Sequence, residues 1–280
     1  MKSLQNKLYE GFYKNAGGLA RPTTKDELIS VIKIKLDRGQ YNLNDIDTSK
    51  ITDMSDLFNR ITYKDLSKID ISEWDVSNVK DMNSMFCTCY NFNCDLSKWD
   101  VSSVTNMNGM FYECNNFKSD LSKWDVSNVK NMSLMFYDCI NFNSDLSKWD
   151  VHKVEDMYKM FDGCTNFNSD LSRWDVSKAN DISYMFQNCT NFNSDLSRWN
   201  VSRVRNMERM FNNCTNFNSD LSKWDVSKVE YMIDMFRNCD KFDCDLSDWD
   251  VSNVNDMTNI FRGSGMKELP DWYKNHKYGY

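Results

Sequence analysis

The sequence predicts an α/β repeat: a solenoid with a parallel β-sheet on one side and short helices on the other. Three observations predict it. Trp74, Trp99, Trp124, Trp149, Trp174, Trp199, Trp224 and Trp249 recur every 25 residues without a slip. Phe follows each Trp by twelve residues, from Phe86 to Phe261, Leu precedes by three from Leu96 to Leu246, and Cys follows by fifteen from Cys89 to Cys239. Each repeat also carries two different hydrophobic periods followed by a run of turn formers, the mark of one supersecondary unit copied along the chain.

Taken in order, residues 1–20 read as an N-terminal tail or short helix, with Gly17 and Gly18 separating it from the next segment. Residues 21–42 read as an N-terminal helical cap. Thr24 and Glu27 form a capping box, Leu28, Val31, Ile32 and Leu36 follow on helical spacing, and Gly39 supplies a stop. The solenoid spans 43–261, beginning with a degenerate coil in which Leu43, Ile46, Asp47, Met54 and Phe58 match the next coil 28 residues on. Within a coil, Trp124 and Val126 alternate with Lys123, Asp125 and Ser127, the pattern of a strand with one buried face. Met132, Met135, Phe136 and Cys139 fall at i, i+3, i+4 and i+7, the pattern of a helix with one buried face, and Asn131 stands where its N-cap belongs. Asn141 to Ser147 is a turn-rich return around Phe142. Residues 262–280 read as a C-terminal cap, with Met266, Leu269, Trp272 and Tyr273 available to cover the last coil.

A strand, a short helix and a turn in 25 residues describe a leucine-rich-repeat-like coil. Leu121 to Phe136, LSKWDVSNVKNMSLMF, resembles the repeat of the BspA-like leucine-rich-repeat surface proteins, found also in mycoplasma-type lipoproteins. That resemblance covers residues 43–261. It implies a solenoid displayed at a surface and adhering to host or partner proteins, and it supplies no catalytic residues. The chain departs from such surface proteins in showing neither a signal peptide nor a lipid-attachment cysteine at its start.

The net charge of −7 gives no reason to expect nucleic-acid binding, which needs a basic surface. No apolar run is long enough to insert in a membrane, and Met1 to Ala20 lacks a secretory apolar core, so the chain is expected to be cytoplasmic as synthesised, with surface or virion association left open. His152 and His276 are the only histidines, which leaves no triad or His-based metal set; no enzyme activity, cofactor or metal is expected. The repeating cysteines read as buried free thiols rather than bridges, and Cys87, Cys94 and Cys244 as the exposed ones. On the outward face, the column of Asp75, Asp100, Asp125 and their successors beside Lys98, Lys123, Lys148, Arg173, Arg198 and Lys223 suggests a salt-bridge zipper, with Ca²⁺ binding by the Asp column as the sharper alternative. Folding accounts for the consensus, so binding is sought where coils depart from it. The candidate surface is Arg198, Arg203, Arg205 and Arg209 with His152, Asn200 and Asp248, and further departures include Glu155, Tyr158 and Glu208. The function expected is non-catalytic, adhesion-type binding of a protein or surface ligand; the alternative is a structural or assembly component, for example of a phage or viral particle.

Overall fold

The computed structural model describes residues 11, 19–61 and 65–274. The tail expected over 1–20 lies outside the described residues except for Gly11, Leu19 and Ala20, and so does His276. The coils stack in the 25-residue register, but they contain neither a sheet nor helices. Among the described residues the helices are α1 (Lys25–Asp37) and α2 (Asp271–Lys274), both outside the repeat, and no strand occurs. Successive coils are joined by isolated parallel bridges, Asp81 to Asn106 to Asn131 to Asp156 and onward to Asp256. The expected parallel β-sheet with short helices is therefore corrected to a stack of turns.

The physical reason is where the backbone donors go. In the expected strand, Trp124 N–H bonds to Leu121 O at 3.1 Å and Val129 N–H to Val126 O at 2.9 Å, so two tight turns consume donors that a sheet would need. In the expected helix, the N–H groups of Met132, Leu134, Phe136 and Asp138 donate forward to the carbonyls of Asp156, Tyr158, Met160 and Asp162 in the next coil. Leu134 and Asp138 have φ of 59° and 52°, left-handed values that no α-helix accommodates. The segment is instead two consecutive four-residue turns, closed by Met135 N–H to Met132 O and Cys139 N–H to Phe136 O. Two such turns put Met132, Met135, Phe136 and Cys139 inside, and so reproduce helical spacing without a helix.

The backbone-paired arc is the tight side of the array. Equivalent atoms in adjacent coils are displaced by the repeat itself, so ring separations measure it locally. Trp124 and Trp149 are 6.5 Å apart, Phe142 and Phe167 6.1 Å, and Phe136 and Phe161 5.6 Å. Paired backbones lie about 4.8 Å apart. The coils thus fan open toward the tryptophans, and the array bends with the paired arc on its inner side.

Across the open side the coils are too far apart for backbone pairing, and side chains satisfy the groups left over. Trp124 Nε1–H donates to Leu96 O at 3.0 Å, and Cys139 Sγ–H to Phe111 O at 2.9 Å. Ser144 Oγ accepts from Leu121 N–H at 2.9 Å, and Asn141 Nδ2–H donates to Asn115 O at 2.8 Å. The outward aspartates do the same work locally: Asp125 Oδ1 accepts from Ser127 N–H at 3.0 Å, and the Ser127 bonds hold its carboxyl below the usual range. The expected salt-bridge zipper is not there. Lys98 pairs with Glu73, and among the described residues no ion pair within 4.0 Å joins Lys123, Lys148, Arg173, Arg198 or Lys223 to the Asp column. A bond made two residues away immobilises less side chain than one made across coils, so the carboxylates are taken first.

Both ends are covered. Thr24 caps α1 by accepting from Glu27 N–H at 3.3 Å, and Glu27 reaches back to Thr23 N–H at 2.7 Å. Leu28, Val31, Ile32 and Leu36 enter the core, while Lys25 bonds Asp53 and buried Lys35 pairs with Asp45, each at 2.7 Å. At the other end Trp272, only 23 residues after Trp249, stacks on it at 6.3 Å and donates to Leu246 O at 2.7 Å. It occupies the place the next tryptophan would have held. All ten cysteines are free; Cys114 through Cys214 in the ladder are fully buried, and Cys94 is buried rather than exposed because its Sγ accepts from Ile71 N–H at 3.4 Å where other coils use Ser.

The serine at this place should matter more than the exposed charges around it. Ser169→Ala leaves Leu146 N–H (2.7 Å from Ser169 Oγ) buried without an acceptor and should cost about 1–3 kcal/mol, read as a lower urea midpoint. Lys148→Ala, on the open face of the same coil, should stay within about 0.5 kcal/mol.

Candidate functional site

The ladder forces a left-handed residue at two places in each coil, ten and fourteen residues after the tryptophan. Such positions favour Gly, Asn and Asp. The fourteenth largely obeys: Asp138, Gly163, Asn188, Asn213, Asn238 and Gly263 occupy it, with φ from 52° to 80°. At Gly163 a Cβ would lie 1.9 Å from Asp138 Oδ1, so any side chain there would have to displace that carboxylate. The tenth does not obey. Four consecutive coils place Leu134, Lys159, Tyr184 and Arg209 there, with φ between 51° and 59°. Each costs on the order of 1–2 kcal/mol relative to glycine-like freedom. Ser84, Gly109, Asp234 and Asn259, which suit the conformation better, flank the four.

Lys159, Tyr184 and Arg209 and their neighbours form one connected strip on the inner arc, one coil on from Leu134. Tyr112 and Tyr137 stack at 4.6 Å and 6°. Lys159 Nζ lies 5.5 Å from the centres of the Tyr137 and Tyr158 rings and 4.9 Å from that of Tyr184, and Arg209 covers the same Tyr184 ring at 5.6 Å. Tyr158 and Tyr184 meet edge to face at 5.8 Å. The Tyr184 hydroxyl donates to Glu208, and burial followed by this bond pushes its pKa up to about 12. Arg209 Nε donates to Asp234 Oδ2 at 3.1 Å, and Arg237 approaches the other oxygen at 3.5 Å.

Asp162 lies at the base of the strip, its side chain 4% exposed and 4.0 Å from Lys159. Gln187 Nε2–H donates to both its oxygens at 3.2 and 3.0 Å, and Asn188 Nδ2–H to Oδ1 at 3.2 Å. Burial outweighs these donors and pushes the carboxyl up to about 6.

Of the residues expected from sequence to bind, Arg209 lies in the strip. Arg205 is committed to Glu230 at 2.6 Å, and Arg198 and Arg203 are exposed elsewhere on the coil, so no hydrogen bond or ion pair unites the four arginines. Asn200 Oδ1 accepts from Ser202 N–H at 3.1 Å, the same turn its aspartate counterparts make. His152 Nδ1 sits 2.7 Å from Asp150 on the open face. Asp248 borders a cleft of about 510 Å³ near the C-terminal end, with Asp220, Lys223, Asp243, Cys244 and Asp245. The strip itself has a sequence signal that residue-by-residue departures do not isolate: the ninth, tenth, thirteenth and fourteenth positions change along the array while the inward eighth, eleventh and twelfth columns of Met, Ile and Phe scarcely do.

A family model described as "Mycoplasma protein of unknown function, DUF285" matches residues 31–137, 111–212 and 163–272. No curated protein matches the sequence. A solved structure described as "Crystal structure of TLR13-ssRNA13 complex" aligns at 11% identity and a TM-score of 0.27, covering 88% of this chain and 46% of that one, too distant to carry an argument.

The two left-handed columns should respond oppositely to substitution. Leu134→Gly should leave stability within about 1 kcal/mol of the parent, because released strain offsets the lost contact and the added chain entropy. Asn213→Leu should lower it by about 1–2 kcal/mol. Thermal unfolding of the two variants decides.

Proposed function

The chain belongs to the DUF285 family of Mycoplasma proteins of unknown function, and from that premise we propose that it is a non-catalytic binding protein whose tyrosine–cation strip docks a partner protein. The observation that carries this reading is the contiguity of Leu134, Lys159, Tyr184 and Arg209 at positions where the backbone favours Gly or Asn. Drift after duplication would scatter such residues along the column. Strain held in adjacent coils fits selection for what the side chains do, since strain of this kind collects at functional sites.

The composition suits protein contact. Tyrosine and arginine are the common anchors of protein interfaces, because they present large amphipathic surfaces whose ordering costs little. Here stacking and ion pairs have already fixed them, so less entropy remains to be lost on binding. The strip's acids are engaged with Gln187, Tyr184 or Arg209, an arrangement that favours holding a surface in shape over proton transfer. The finer reading, adhesion at a surface in the manner of BspA-like proteins, is supported by the resemblance over Leu121–Phe136. Among the described residues no helix is long and apolar enough to cross a membrane.

The test compares the full chain with variants on two faces. A partner is recovered by cross-linking and pull-down on the parent protein, and its affinity is then titrated. Tyr184→Ala and Arg209→Ala should each weaken it by about 30-fold, the size of an interface anchor. Lys123→Ala and Lys148→Ala on the open side should leave it unchanged. Equal binding by the strip variants, or loss through the lysine variants, would sink the proposal.

A further inference from the structure

A buried carboxylate is expensive unless it is paired and hydrogen-bonded, and the partners of Asp162 reach further than Lys159. Asn213 Nδ2–H donates to Asn188 Oδ1 at 2.7 Å, and Asn238 Nδ2–H donates to Asn213 Oδ1 at 2.8 Å. With Asn188 on Asp162 Oδ1, this makes an amide ladder through three successive coils that ends on the carboxylate. Its direction is dictated by the chemistry at its head. An ionised carboxylate only accepts, so Asn188 must turn its Nδ2 toward Asp162. That leaves its Oδ1 for Asn213, and Asn238 is oriented in turn.

We infer that uptake of one proton by Asp162 reverses the ladder Asn188–Asn213–Asn238 and removes the carboxylate charge that lies 4.0 Å from Lys159, so that the strip gains one positive charge. Protonated, Asp162 carries an O–H that needs an acceptor. Asn188 supplies one by turning its Oδ1 inward, which directs its Nδ2–H at Asn213. Asn213 must then present Oδ1, and its own Nδ2–H passes the same demand to Asn238. One proton is bound, no covalent bond but the O–H forms, and every amide exchanges one donor for one acceptor. At the far end Asn238 shows Nδ2–H where it had shown Oδ1, beside Gly263, where any Cβ would come within 2.6 Å of that oxygen.

The groups facing Asp162 favour proton uptake in the mildly acidic range. Lys159 of its own coil and the amides of Gln187 and Asn188 from the next coil hold the charged form. Burial and Asp138 of the preceding coil oppose it, Tyr137 adds its ring from that coil, and the thiols of Cys164, Cys189 and Cys214 in the core behind are neutral. Burial dominates, which places the midpoint at about 6.

The switch regulates the surface assigned above as the docking strip, and in that respect it rests on that reading, but its test does not. In the full chain, the side-chain amide NMR signals of Asn188, Asn213 and Asn238 should move together with one midpoint near 6. Asp162→Asn should abolish all three titrations. Asn213→Ala should leave Asn188 titrating and silence Asn238, which separates a relay from a general change of fold. Static Asn213 and Asn238 signals across the two pH units on either side of that midpoint would overturn the switch. A ladder that reverses in a protein whose strip variants bind normally would instead overturn the docking assignment alone.

Discussion

The forward donation of alternate N–H groups, Met132, Leu134, Phe136 and Asp138 to the next coil, is the constraint on which the rest of the structure depends. To send every second N–H along the array, the chain must turn twice within eight residues, and each turn needs a left-handed third residue. Those residues rule out helix. They also hold coils at paired-backbone spacing on one side only, so the array must open on the other. Curvature, turn chemistry and the location of strain are three consequences of one hydrogen-bond pattern.

The open side explains the composition. Where coils separate by 6.5 Å at the tryptophans, backbone groups cannot reach one another, and each requires a side chain of fixed reach. An indole N–H spans the gap to Leu96 O, a thiol reaches Phe111 O, and a hydroxyl receives Leu121 N–H. Ordinary packing would accept Phe for Trp or Ala for Ser. Hydrogen-bond closure does not, because a buried unpaired group forfeits its full hydration. The near-constancy of these columns is thus a property of the wide face, and where serine is replaced, at Cys94 and Cys244, the sulfur accepts the same backbone N–H.

The sequence made the period, the core columns and the burial of the ladder thiols legible. Trp124, Met132, Phe136 and Cys139 and their equivalents are buried as their recurrence implied. It misled about local conformation, because two tight turns place residues at i, i+3, i+4 and i+7 just as a helix does, and Leu121 to Val129 alternates without pairing as a strand. Hydrophobic periodicity reports which residues face inward and not how the backbone gets them there. It misled about Cys94 for a related reason: its place looked like an outer turn, yet its sulfur takes over a serine's inward bond. Arg209 was visible as a departure from the repeat, but the tyrosine strip around it required comparing whole columns, and Asp162 required knowing that the arc is backbone-paired.

Asp162, with Asp138 of the preceding coil, differs from acids such as Asp125, Asp175 and Asp225 in the sign of its effect on stability, and burial is the cause in both. Asp125, Asp175 and Asp225 have depressed folded-state pKa values, held down by the serine two residues on, so what they contribute is present at neutral pH and fades as acid protonates them. Asp162 has a folded value of about 6 against an unfolded value of 3.8. Its neutral form is the one folding prefers, so its contribution is complete below the unfolded value and lost as pH rises through the folded one. The difference of about two units amounts to a cost on the order of 3 kcal/mol at neutral pH. Folding alone would put an amide there, as it does at Asn212 in the equivalent place two coils on, or a glutamine, as at Gln187 in the next. A carboxylate kept at that cost, beneath a lysine strained into a ring of tyrosines, is best explained by what its charge does to the strip.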